Sequence, residues 1–189
     1  MQLLEAIHSR RSVRAYTDRE VDEATIRALL HAAVQAPSAI NTQPWRFSIV
    51  QSKARLRHYS DRAKETMLAR AHAATDPRAA QFMELLEDPA FNIFYDAGTL
   101  VVIGVETRTT YSDADCWLAA QNLMLAACDA GLGTCAIGFA VGVLNTPEIK
   151  AEIGLPESGA ALAPILVGYP LAMPDPMSRD EPRVLSWTR

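Results

Sequence analysis

Cysteine is scarce in this 189-residue chain: Cys116, Cys128 and Cys135 are its only three, and no two form a C-x-x-C pair. One of them stays unpaired under any disulfide scheme, so reduced thiols in a cytoplasmic protein are expected. The four histidines, His8, His31, His58 and His72, lie at no metal-ligand spacing with one another or with the cysteines, and no metal site is expected. No apolar run is long enough to span a bilayer. Met1-Gln2-Leu3-Leu4-Glu5 lacks the basic start and small-residue cleavage site of a signal peptide. Positive charge is not in excess. The net charge of -4 gives no reason to expect nucleic acid or an anionic membrane as partner. Repeats and low-complexity blocks are absent too. The glycine-rich stretch from Gly131 to Phe139 runs out of a helix into a strand, which is not the Rossmann order G-x-G-x-x-G then helix.

What is present suits one domain over residues 1–189, because a hydrophobic fraction of 49% is enough for a substantial core. The stretch around which the rest is organised is Pro37-Ser38-Ala39-Ile40-Asn41-Thr42-Gln43-Pro44-Trp45. Its prolines cannot continue the preceding amphipathic helix, and each pushes the residue before it toward extended geometry. A rigid loop of hydroxyls and amides, closed by an indole, is predicted between that helix and a strand at Arg46–Val50. Such a loop is a good place for a ligand. Read alone, it is equally a polar connection with Trp45 as a core anchor.

Leu3, Leu4 and Ile7 predict a short first helix with one apolar face. Three arginines and two serines then fall within six residues, Ser9 to Arg14. Arginine's planar fork suits phosphate oxygens, although a solvated basic turn at a helix C-terminus has the same composition. Asp22 is a candidate N-cap, with Val21 stapling against Ile26. Residues 54–90 read as an outer helical excursion, a lid or a dimer arm, with a helix toward Ala74 and a second starting at Asp76-Pro77. Its Arg62, Arg70, Arg78, Phe82, Phe91 and Phe94 either select a substrate or form a solvated face and core aromatics. Thr99–Val105 reads as a strand buried on both faces. Asp113–Asp129 reads as an apolar helix, interrupted by Gln121 and Asn122, whose amides need partners in a ligand or a neighbouring subunit. Cys135 is expected to be a buried structural thiol, since no activating base lies near it in sequence. Thr146-Pro147 starts another helix. Pro164 within the last strand marks an edge or a bulge. The proline-punctuated tail, residues 171–189, with Trp187 near its end, is expected to dock on a partner subunit.

In this order the segments resemble the FMN-dependent nitroreductase family. The resemblance rests on Arg10-Arg11-Ser12-Val13-Arg14, the Pro37–Trp45 loop, Ala119-Ala120-Gln121-Asn122-Leu123, Gly131-Leu132-Gly133-Thr134 and Gly168-Tyr169-Pro170 followed by arginines. It implies an α+β fold, with a central, mainly antiparallel sheet flanked by helices and an intertwined homodimer holding two FMN. It implies that Arg10, Arg11, Ser12 and Arg14 hold the phosphate end, completed by Arg179 or Arg183 from the tail. Pro37, Ser38, Ala39 and Asn41 would line the flavin from the other subunit, with backbone at Ile137 and Gly138 facing its reactive edge. The implied activity is ping-pong reduction of small nitroaromatic or quinone-like acceptors. NADPH or NADH delivers hydride to flavin N5, and no side chain acts as a catalytic acid or base. Reductive dehalogenation, dehydrogenation of a metabolite, or flavin binding without catalysis are the alternatives on the same scaffold.

Overall fold

A computed structural model of the chain describes residues 1–71 and 84–189. The elements are α1 (Leu3–Ser9), α2 (Glu23–Ala33), a 3-10 turn (Ala39–Asn41), β1 (Trp45–Val50), α3 (Lys53–Ala71), β2 (Thr99–Val105), α4 (Ser112–Asp129), β3 (Gly133–Ala136), α5 (Ala140–Leu144), α6 (Pro147–Glu152) and β4 (Ala160–Gly168). The four strands form one antiparallel sheet in the order β1-β2-β4-β3. Helices cover both faces, so the expected α+β architecture is the one that forms. Among the described residues no helix is long and apolar enough to cross a membrane.

β2 is buried along its whole length because its alternate side chains enter two separate cores. Val101, Ile103 and Val105 pack with Ile26 and Leu29 of α2 and with Ala119, Ala120 and Leu123 of α4. Leu100 and Val102 pack with Leu56 and Tyr59 of α3, Val143 of α5 and Ile149 of α6. The alanines of α4 let its backbone lie close to the sheet, and fully buried Leu123 fills the space between. Asp22 caps α2 as expected, its Oδ1 accepting the Thr25 N–H at 2.8 Å. Those hydrogen bonds from Thr25 hold its carboxyl below the usual range.

The structure revises several expectations. Pro164 sits in an inner strand, opposite Val102, not at an edge. Its carbonyl accepts the Ile137 N–H, so its ring nitrogen faces the same side, past the end of β3, and no bond to β2 is lost. The bulge is nearby, between Ile103 and Gly104. In the first half of residues 54–90, one face of α3 packs into the core through buried Leu56, Tyr59 and Ala63, and Phe94, beyond that segment, is buried with them. Lys64 is buried as well and donates to the carbonyls of Asp88 and Phe91 at 2.6 and 3.0 Å, tying α3 to the chain that enters β2. Arg62 pairs with Glu148 at 3.2 Å. The expected helix toward Ala74 and restart at Asp76-Pro77, with Arg78, Phe82 and the Arg70 side chain, lie outside the described residues. Asn122 donates to the Ala32 carbonyl of α2 at 3.3 Å and Gln121 is exposed, so the partner of the Asn122 amide lies within the chain. Thr146 bonds the Val143 carbonyl and does not cap α6 through its side chain. The apolar face of α1, Leu3, Leu4 and Ile7, is exposed, as are Trp117 and Leu118 on α4 and Leu185 and Trp187 in the tail.

Candidate functional site

The basic segment after α1 is woven into the sheet. Ser12 bridges Thr134 in parallel, and the Val13 N–H donates to the Thr134 carbonyl at 2.9 Å. Tyr16 bridges Pro170, and the Leu171 N–H donates to the Ala15 carbonyl at 2.9 Å. The two ends of the chain therefore meet beside β3. Between them lies a cavity of about 100 Å³, lined by Arg10, Arg11, Ser12, Arg14 and Arg179, with Asp175 as its one acidic side chain. Arg183 lies outside this lining and is exposed. The structure thus separates two tail arginines that spacing alone leaves equivalent.

The arginines are not equivalent in what they already bond. Arg11 donates to the carbonyls of His8 and Arg10 at 2.6 and 3.0 Å, where it satisfies the C-terminal end of α1. Arg179 bonds only the neighbouring Met177 and Ser178 carbonyls. Arg10 and Arg14 have no carboxylate within ion-pair distance among the described residues. Arg14 instead lies 5.9 Å from the centre of the Tyr95 ring. It also lines a second cavity of about 340 Å³ with Tyr16, Phe91, Asn92 and Tyr95. Asn92 and Tyr95 escape sequence reasoning because they come from an irregular turn with no periodic pattern. The left-handed backbone of Tyr95 (φ 51°) and Asp96 (φ 53°) follows from no sequence signal.

Close packing fixes this segment. A Cβ on Gly133 would lie 2.7–2.9 Å from three atoms of Val13, whose side chain is fully buried. Gly133→Ala is therefore expected to cost about 1–3 kcal/mol of stability. It should also displace Ser12 and Arg14. A lowered denaturant midpoint, with no such change for Gly138→Ala, checks this, because a Cβ on Gly138 meets nothing within 4 Å.

The Ile137 N–H is taken by Pro164, which leaves the exposed Gly138 N–H as a donor without a partner among the described residues. The hydroxyl of Thr134, the residue bridged to Ser12, is buried and likewise lacks a partner among them. Arginines outside ion-pair distance of any carboxylate among the described residues and a serine hydroxyl line this cavity as a donor set that fits an anionic, acceptor-rich group such as FMN; the orphaned hydroxyl belongs to the residue bridged to Ser12, and the open Gly138 N–H to the turn after β3.

Pro37, Ser38, Ala39 and Asn41 lie elsewhere, on the loop between α2 and β1, and do not line either cavity of their own chain. Ile40, Asn41 and Gln43 have φ of 45°, 57° and 47°. The Ser38 Oγ accepts the Gln43 N–H at 2.9 Å, and the Ala39 N–H donates to Asp115 Oδ1 at 3.1 Å.

Cys135 is buried, and burial pushes its thiol above the usual value, which disfavours the nucleophilic thiolate at neutral pH. Cys116 is pushed by burial to about 12. Both are expected to resist a thiol-labelling disulfide reagent at pH 8 until the protein is unfolded. A raised thiol value favours the folded state fully below the free-thiol value of about 8.5 and is lost as pH rises above it. Alkaline melting between pH 8 and 11 should therefore show falling stability.

A model of the nitroreductase family matches residues 7–169. An NADH dehydrogenase from Thermus thermophilus is 28% identical over 179 residues, covering 85% of this chain and 83% of its own. An iodotyrosine deiodinase from Thermotoga neapolitana is 27% identical over 181 residues, covering 89% and 88%. The crystal structure of a nitroreductase with bound FMN from Bacteroides fragilis superposes with a TM-score of 0.79 at 26% identity, covering 100% of this chain and 98% of that one.

Proposed function

The chain belongs to the nitroreductase family of oxidoreductases, and on that premise we propose that it is an FMN-dependent, NAD(P)H-driven reductase of small nitroaromatic or quinone-like acceptors. The observation that carries the proposal is the cavity between the chain ends, where Arg10, Ser12, Arg14 and Arg179 converge with one carboxylate against them. These residues would hold the phosphate of FMN by charge-assisted hydrogen bonds. Arg11, engaged at the end of α1, adds charge nearby. Gly138 would present its N–H to the reactive edge of the ring, and the backbone bond from Ile137 to Pro164 keeps that N–H in place. When bound, FMN supplies the hydride chemistry, accepting from a nicotinamide and giving to an oxidised substrate in alternate half-reactions.

The loop carrying Pro37, Ser38, Ala39 and Asn41 is far in the chain from that cavity and would line the flavin of a second copy in a homodimer. The exposed apolar side chains Leu3, Leu4, Trp117 and Leu118, with the tail to Trp187, would be covered there. The residues 1–189 act as one unit in this reading. The buried free cysteines suit a reducing, cytoplasmic setting. A second reading, reductive dehalogenation, is favoured by the similarity to the iodotyrosine deiodinase.

The test is an anaerobic stopped-flow trace of FMN-loaded protein mixed with NADPH or NADH, following the visible flavin band. Fast bleaching with either donor, reversed by a nitroaromatic or a quinone, is the expected result. Absence of bleaching in a protein that holds FMN tightly would sink the nicotinamide-driven cycle. Reoxidation only by halogenated phenols would favour the second reading.

A further inference from the structure

The Ser38–Gln43 loop is strained. Ile40, Asn41 and Gln43 all have left-handed φ, a region that residues with a Cβ adopt at a cost, most of all β-branched isoleucine. Packing does not compensate at Ile40, which is 96% exposed. Within the loop, the Asn41 N–H bonds the Ser38 carbonyl and the Thr42 N–H bonds the Ala39 carbonyl, both at 3.0 Å. Gln43 donates to Ser38 Oγ and, through Nε2, to Asn41 Oδ1 at 3.2 Å. These bonds use acceptors. The Ser38 O–H and the Asn41 side-chain N–H groups remain as donors.

A hydrogen bond reaches into the loop from outside. Asp115, in the first turn of α4, is 4% exposed, and its Oδ1 accepts the Ala39 N–H from 76 positions away. A buried carboxylate is unfavourable unless hydrogen bonds and local charge compensate it. The N-terminal end of α4 favours its charge, and no cation pairs with it among the described residues. We infer that Asp115 is a positioning residue that holds the strained loop through Ala39 in the shape that offers the Ser38 and Asn41 donors to the carbonyl-bearing ring of FMN. The inference rests on the FMN reading above.

Three variants separate this role from simple support of α4. Asp115→Asn keeps an acceptor for the Ala39 N–H but removes the charge at the helix end. Asp115→Ala removes both. Ala39→Pro removes the donor while leaving Asp115 and the end of α4 intact, at a position where Ser38 is already extended (φ -138°, ψ 157°), as a following proline requires. FMN dissociation constants should rise about tenfold or more for Asp115→Ala and Ala39→Pro, as a hydrogen bond to a charged group is lost. Asp115→Asn should stay within about threefold of the parent, since it keeps the neutral bond. If Ala39→Pro binds FMN like the parent, or Asp115→Asn is as impaired as Asp115→Ala, the inference is overturned. Amide exchange of Ala39 in FMN-free protein gives a second readout: protection in the parent and in Asp115→Asn, and loss in Asp115→Ala. An unprotected Ala39 amide in the parent overturns the inference even if FMN binds. A parent that binds no FMN overturns the FMN reading, and the exchange data then judge the loop contact by itself.

Discussion

Replacing Arg14 with Ala is expected to weaken FMN retention roughly 10- to 100-fold, the loss of a charge-assisted contact of about 1.5–3 kcal/mol. Arg14 lines both cavities, and no carboxylate among the described residues lies within ion-pair distance of its guanidinium. Its aromatic neighbour Tyr95 is a weaker contact, at 5.9 Å. The stability of FMN-free protein should therefore move by less than about 0.5 kcal/mol, as for most surface substitutions. Fluorescence titration of FMN gives the affinity, and a urea midpoint gives the stability. Arg14→Lys should recover the affinity only in part, because an ammonium is a point charge without the planar fork. Arg179→Ala should weaken binding as well, whereas Arg183→Ala should not. Unchanged affinity in Arg14→Ala would remove this residue from the proposed site.

Gly104→Ala is expected to have the largest effect on stability, about 3 kcal/mol or more, the upper end for overpacking. A Cβ at Gly104 would lie 2.4 Å from the Ala160 carbonyl oxygen and 3.3 Å from the Ala161 Cα. Both belong to the backbone of β4, an inner strand paired on both sides. Neither can withdraw without breaking the β2–β4 ladder, and the bulge between Ile103 and Gly104 already sets the spacing there. Gly142→Ala is the control. It lies exposed inside α5 with nothing within 4 Å of a Cβ, and should gain about 0.5–1 kcal/mol from helix propensity. Denaturant midpoints of the two variants, compared with the parent, would show opposite shifts. Equal midpoints would mean that β2 and β4 are not held this closely.

Local chemistry in the sequence determined much of this protein. The Asp22 cap, the positive φ of Gly131 at the end of α4, the proline start of α6 and the unbroken apolar run of β2 are settled by residues next to one another in the chain. The same holds for the two stretches on which the family resemblance most depends, Arg10–Arg14 and Pro37–Trp45, because each carries its polar groups contiguously. Tertiary structure alone decided which distant groups meet. Arg179 joins the arginine cavity and Arg183 does not because the Leu171–Ala15 bond fixes where the tail leaves the sheet. The inner position of Pro164 depends on β3 ending before it. The hold of Asp115 on Ala39 depends on α4 starting beside the loop. Spacing along the chain records propensity and pattern. It does not record which hydrogen bonds close between elements, and those bonds decide whether a given arginine, proline or aspartate belongs to the site or only to the fold.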